Sequence, residues 1–490
     1  MRQAHDPITD GKLAPSVLRF GAPLAVGMGL QTTFNLVDAY LISRLEPEVA
    51  GPSLGAIGIC DQIAALGTIV SYGVSTATAA LVALRHGRGD QEGVRRIAWQ
   101  SLVLVGIWSL VFGVVGLFGA GFVMHDVVGA KGDVAELGTA YLRVMLAGSF
   151  SIFFLLQITA IQRALGSSKT PVAMLLLANV LNLVLAVLLV YGPGEAPPIF
   201  SWGPPIARAL GIPRMELLGA AWATILARMV ALVPLCIVAH RRFGIFDRAK
   251  KLFDKATSAS ILELAWPSSA QLVVRIAAMV FVQALVARAF TTEEDQTATT
   301  ALGIVFRLET MALFVGLGWG SAAQTFMGQN LGKGRVERAI KSGWIASGYN
   351  IVAMLLLAIA YIAFGEPIVA FFDSEPRVLE VALDYLAVVA PSYLALGLGI
   401  VLGSAMTGAG ATRTTLVIDL VATFAFQVPL SLVMMAAFAG SETRLWQALF
   451  ATNVVSALLY TVVYYRRTFL RAVPLSFEER QHYPPAARAS

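Results

Sequence analysis

Residues 171–191 read PVAMLLLANVLNLVLAVLLVY, an apolar run without one charged side chain. As a helix rising 1.5 Å per residue, a run of this length covers the ~30 Å hydrocarbon core of a bilayer. A barrel strand would instead alternate apolar and polar residues over ~10 positions. The run is therefore read as a transmembrane helix, and the rest of the chain repeats the pattern. Apolar runs predict spans at 15–43, 51–83, 96–124, 137–163, 171–191, 217–240, 259–289, 297–331, 338–365, 380–408, 413–439 and 443–465. Hydrophobic residues make up 57% of the 490 and charged residues 13%, and mean hydropathy is +0.72. A soluble domain carries about a quarter charged residues, so this chain cannot cover a water-facing surface. In lipid every backbone group must find its partner internally. The expected fold is all-α integral membrane, with twelve transmembrane helices.

The net charge of +6 and pI near 9.3 do not point to nucleic acid, because the basic residues sit in short loops between apolar runs. The loops alternate in sign. Residues 84–96 carry Arg85, Arg88, Arg95 and Arg96 against Asp90 and Glu92, and residues 332–341 carry Lys333, Arg335, Arg338 and Lys341 against Glu337. Residues 241–258 and the tail after 465 are basic as well, whereas 125–136, 288–295 and 366–384 are acidic or near neutral. The positive-inside rule then places both termini and the basic loops in the cytoplasm of a multi-pass inner-membrane protein. The first run is too long for a cleaved signal and is expected to remain as a helix. Cys60 and Cys236 lie within apolar runs and do not suggest a disulfide framework. The five histidines form no spaced ligand set, so no metal site is expected.

The chain also repeats itself at an offset of 244–245. Pro23 matches Pro267, GVSTATAALVALRHG (73–87) lies over GWGSAAQTFMGQNLG (318–332), and the 166–170 stretch lies over 410–414. Six crossings return a chain to its starting side, so the halves share one orientation as a parallel, pseudo-symmetric pair of six-helix bundles. The expected lobes are 1–245 and 246–490, with 241–258 as a cytoplasmic linker.

Some residues at membrane depth could carry chemistry. Asp38 shares a helix face with Gln31 and Asn35 through the i, i+4, i+7 spacing. An intramembrane carboxylate is expensive and usually faces a cavity. Out of water its protonated form is favoured, so such a group can take up a proton or sodium ion on one side and release it on the other; the plainer reading is a capping carboxylate. Asn179 and Asn182 face similar directions in the fifth span, where interhelical hydrogen bonds are the competing reading. Arg275, ~24 Å up the seventh helix, needs a partner, and Glu309 in the eighth span is the expected one, as a buried ion pair or gate. Arg307 lies about 200° round the helix from Glu309 and cannot share that partner. Asp61, Asp384 and Asp419 lie nearer span ends and are read as interfacial or capping. Pro23 and Pro267 interrupt long helices and are hinge candidates.

RALGSSKTP (163–171), MGQNLGKGRVERA (327–339), LGAAWAT (218–224) and GSAMTGAGATRT (403–414) resemble, in this order and spacing, the pattern of the multidrug and toxic compound extrusion (MATE) family. The resemblance runs from about Pro23 to Pro429. It implies two six-helix bundles facing each other, and export of bulky, often cationic compounds against entry of protons or sodium ions. It implies a functional aspartate at Asp38, an amino-terminal-site asparagine at Asn182 and a polar contributor at Thr224. Where some relatives carry a second aspartate, this chain has Ala186. Where others carry carboxy-half acids, it has Arg275 in the seventh span and no acid near Leu396 in the tenth.

The expectation is a secondary antiporter working by alternating access. It would need no cofactor beyond its coupling ion and act as a monomer, in the lipid bilayer, on an amphiphilic or cationic small molecule. A flippase for a lipid-linked or amphiphilic metabolite is the alternative, but it would want a strongly cationic cavity, and only Arg275 and Arg307 stand out at depth. No P-loop appears. No nucleophile or metal constellation suggests an enzyme, and no repeated filter motif suggests a channel.

Overall fold

The computed structural model describes residues 7–31, 38, 40–245, 253–292, 295–437 and 441–472. Among the described residues, twelve helices are long and apolar enough to cross a membrane. They are α1 (Leu13–Gln31, with Asp38 and residues 40–43 helical again), α2 (Pro47–Gly87), α3 (Gln91–Val127), α4 (Gly132–Ala164), α5 (Lys169–Tyr191) and α6 (Glu216–Phe243) in the first half. In the second half they are α7 (Lys255–Ala289), α8 (Thr297–Gly332), α9 (Val336–Ala363), α10 (Pro376–Gly408), α11 (Thr412–Ala437) and α12 (Glu442–Tyr465). Apart from the far end of the first span, part of which lies outside the described residues, the apolar runs place the span ends to within about five residues. The described residues include no strand, so the chain is an all-α multi-pass membrane protein.

Local chemistry sets the ends. The Asp90 carboxylate accepts from Gly93 N at 2.8 Å and caps α3, and the Asp254 carboxylate accepts from Ala256 N at 3.2 Å and caps α7. Pro47 and Pro376 open α2 and α10 at the first turn, where a missing N–H costs nothing. Gly192 closes α5 with φ 54°, a conformation other residues resist.

The packing differs between the two ends of the bundle. At the far end, the end of the 44–46, 128–131 and 364–375 connections, each half has its own core. One joins Leu41, Met124, Tyr141, Val187 and Leu217; the other joins Val286, Phe306, Tyr385 and Trp446. At the opposite end, which carries the basic loops, the cores mix the halves. Phe20, Leu24 and Leu84 pack with Trp319, Phe326 and Met406, and Val74 and Leu235 pack with Ile261 and Ala265. The halves are thus joined at the basic end and hold separate cores at the far end.

The two similar stretches of sequence meet each other in that joint. A methyl at Gly87 would land on the Gln329 carbonyl, and one at Gly332 on the Leu84 carbonyl. Gly73 lies against α7 at Ala265 and Ser269, and Gly318 lies against α1 at Leu24 and Ala25. Ala83 meets Gly328. With an offset of 245, Gly87 corresponds to Gly332, Leu84 to Gln329, Gly73 to Gly318 and Ala83 to Gly328, so the contacts are reciprocal and the last joins a position to its own counterpart. Such pairing is how a two-fold interface is built. Side-chain amides fasten the seam: Gln324 Nε2 donates to Thr76 O at 3.0 Å and Gln329 Nε2 to Ala164 O at 2.7 Å.

Below the seam, residues 7–12 strap across to the second half. Asp10 forms ion pairs with Lys333 (3.1 Å) and Arg335 (2.8 Å). The hydrogen bond from Lys333 holds the Asp10 carboxyl down at about 2. Arg338 donates to the carbonyls of Ile8 (3.1 Å) and Gly11 (2.5 Å).

Candidate functional site

A cavity of ≈ 240 Å³ lies inside the first half, above the seam. Helical periodicity builds it. From α2 come Asp61, Ala65 and Thr68, from α4 Tyr141, Met145 and Ser149, and from α6 Thr224 and Arg228, while Asp38 closes the ring from the first span. Gly148 lets α4 abut α6, since a methyl there would overlap Ile225. Drug-sized pockets run from about 300 to 1,000 Å³. This cavity therefore suits a small ion or the charged end of a larger ligand rather than a whole bulky compound.

Three expected residues come together in one hydrogen-bonded chain. Asn182 Nδ2 donates to Thr224 Oγ1 at 2.8 Å, and Thr224 Oγ1 donates to Asp38 Oδ2 at 3.3 Å. Asp38 Oδ1 is buried without a hydrogen-bond partner among the described residues. An under-satisfied buried carboxylate oxygen is costly, and at the wall of a cavity it is placed to receive a proton or a small cation. Asn179 is half-buried one turn away and does not line the cavity. Asn35 and the side chain of Gln31 lie outside the described residues. Ala186 is fully buried in the apolar core.

Two charged residues that line the cavity escaped the sequence reading. Asp61, expected at an interface or cap, lines the same cavity as Asp38. The misreading came from depth: α2 begins at Pro47, not 51, which puts Asp61 ~21 Å into the helix. Arg228 lies one turn beyond Thr224 on the same face and lines the cavity too, with no ion pair to either carboxylate among the described residues. Its signal was available, because no other Asp, Glu, Lys or Arg occurs in 217–239.

In the second half the expected Arg275–Glu309 pair does not form. Arg275 Nε donates to Asp419 Oδ2 at 2.8 Å. Gln271 Nε2 donates to the same oxygen at 3.0 Å, and Tyr460 OH donates to Asp419 Oδ1 at 2.7 Å. Asp419 is thus a buried tie between α7, α11 and α12, not an interfacial residue. Glu309 instead accepts from Tyr385 OH of α10 at 2.5 Å. The reason is neighbourhood: α7 packs chiefly against α2 and α11, so adjacency in sequence to α8 misled the pairing. Arg307 is exposed, and so is Asp384, as expected for an interfacial residue. Pro23 and Pro267 both lie inside continuous helices, each within two residues of the reciprocal glycine contacts.

Comparison with known proteins finds relatives of the chain as a whole. The chain matches the MatE family model over residues 23–188 and 272–433. It is 27% identical to the Bacillus subtilis "Probable multidrug resistance protein YpnP", over 89% of this chain and 91% of that one. It is 25% identical to the FAD transporter of Shewanella oneidensis, over 85% of this chain and 86% of that one. An outward-facing multidrug resistance MATE family transporter superposes with a TM-score of 0.82 at 21% identity, covering 95% of this chain and 98% of that one. At that identity the likeness concerns the fold alone.

Proposed function

Because the chain belongs to the MatE family of multidrug efflux transporters, not of enzymes, we propose that it is a secondary antiporter that exports lipophilic or cationic compounds in exchange for protons or sodium ions. The observation that carries this reading is Asp38: a carboxylate at the wall of an internal cavity, fixed by Thr224 through one oxygen and, among the described residues, without a hydrogen-bond partner at the other.

The loop charges put the basic end, with both termini, on the cytoplasmic side. The seam then closes the cytoplasmic face and the separate far-end cores face outward, an outward-facing arrangement in the inner membrane. In this state Asp38 takes up the coupling ion and the exported compound leaves. Parting of the seam and rejoining at the far end would return the site to the cytoplasm, where the ion departs and a new substrate enters. Only a difference in each ligand's affinity between the two states can drive this cycle. The substrate's bulk lies between the two separate far-end cores, while its charged end and the coupling ion compete for the smaller cavity. A single protomer contains every part this requires.

A phosphate-bearing cargo, whether a lipid-linked precursor or a dinucleotide like that of the Shewanella relative, is disfavoured by the cavity lining. Two aspartates against one arginine are the wrong balance for it.

The test is efflux of a lipophilic cationic dye from proteoliposomes, with a proton gradient and a sodium gradient imposed separately. One gradient should drive efflux, and Asp38→Asn should abolish it. Wild-type efflux by that variant removes Asp38 from the mechanism.

A further inference from the structure

We infer that Asp61 and Arg228 complete the exchange site: Asp61 is its second exchangeable carboxylate, and Arg228 is a built-in cation that reverses the charge of the cavity once both acids are occupied. The inference rests on the exchange reading above, and it goes beyond it in saying how a cationic substrate is expelled.

The geometry supplies the parts. Asp38 from the first span, Asp61 from α2 and Arg228 from α6 line one small cavity, closed by Tyr141 of α4 and Thr224 of α6. The titratable groups nearby are these three charges, the Tyr141 phenol, and the Cys60 thiol, which donates to Gly138 O at 3.3 Å and is tied up in the helix packing. Arg228 contrasts with Arg275. Arg275 is bound to its own carboxylate at 2.8 Å, whereas Arg228 has no ion pair to Asp38 or Asp61 among the described residues and presents its charge to the cavity instead. Arg228 is half-buried, and a cation at membrane depth normally has a partner; beside two acids and without an ion pair among the described residues, it is positioned to act on whatever enters.

Counting formal charge shows the consequence. With both acids ionised the cavity carries −1 and attracts a cation. With one acid occupied by a proton or sodium ion it is neutral, and with both occupied it carries +1 and repels the same cation. Without Arg228 the series would run from −2 to 0, and the site would never repel its cargo. Arg228 is thus a positioning residue for release, not for capture. At the effective dielectric of a partly wet interior, one unit charge across such a cavity changes affinity roughly tenfold to a hundredfold.

The experiment uses binding of a lipophilic styryl N-methylpyridinium dye, whose charge sits at one end, to the purified full chain in detergent, at about pH 8 and about pH 5, alongside efflux kinetics of the same dye. Arg228→Gln should tighten binding by about tenfold or more and should lower both KM and kcat for efflux, because release becomes slow. Arg228→Lys, which keeps the charge, should restore the wild-type pattern in both. Asp61→Asn should weaken binding at the higher pH by about tenfold. Unchanged or weaker binding by a folded Arg228→Gln protein overturns the role of Arg228. Should that variant not fold, unchanged binding by Asp61→Asn overturns the cluster. Binding in detergent requires no ion gradient, so it is scored separately from the antiport reading, which stands or falls on Asp38→Asn in proteoliposomes.

Discussion

Asp38 and Asp419 are both carboxylates inside a lipid-embedded bundle, and they differ in everything that surrounds them. Asp419 is saturated: an arginine and an amide hold one oxygen and a phenol holds the other, all within 3.0 Å. Among the described residues, Asp38 has a single hydroxyl at 3.3 Å and an oxygen without a hydrogen-bond partner beside a cavity. The first arrangement fixes a charge permanently and ties three helices together. The second leaves an ion's place open. Partner count, rather than depth or residue type, separates a structural charge from an exchangeable one.

The comparison can be broken most directly at Asp38 itself. Asp38→Asn should reduce gradient-driven dye efflux to the leak of empty liposomes, yet shift stability by less than about 1 kcal/mol, since the replacement amide can still accept from Thr224. A large loss of melting temperature in detergent would make Asp38 a second staple and erase the contrast. Asp419→Ala should do the reverse. It strands Arg275 and should cost about 3 kcal/mol, the lower part of the range for a broken buried pair because the Arg275 side chain is 30% exposed. The double variant Arg275→Met, Asp419→Leu should recover much of that loss in the same melting assay. Tyr460→Phe removes one hydrogen bond to a charge and should cost about 1.5 kcal/mol, with the coupling ion unchanged. The smallest effect is expected at the strap. Asp10 is held down at about 2, below the ordinary aspartate value, so its contribution is complete above about pH 4 and fades only as pH falls through about 2. Asp10→Asn should therefore cost under about 1 kcal/mol, equally at about pH 5 and about pH 8; a loss that changes between those two values would contradict the assignment.

The spans were legible because each apolar run is bounded by charged or glycine-bearing turns, and the bilayer fixes its length. The chain Asn182–Thr224–Asp38 was legible in part: its members are polar residues in otherwise apolar helices, and the resemblance named all three. Asp61 and Arg228 were not assembled with them, because their meeting depends on which helices touch. Periodicity says which face a residue occupies but not what that face meets. The same limit misassigned Arg275. Its true partner is 144 positions away, on a helix brought alongside only by the packing of α7 against α2 and α11.

The glycine contacts at Gly73, Gly87, Gly318 and Gly332 have a mechanical consequence. A closure made of large interlocking side chains would expose much apolar area on parting, at about 25 cal/mol per Å². At these four glycines backbone presses closely on backbone, whereas Phe20, Trp319, Phe326 and Met406 interlock as side chains in the same joint; the peptide groups that separate can bond to incoming water at once. The glycines therefore set how tightly the halves meet when shut, while the apolar side chains around them set most of what parting must overcome.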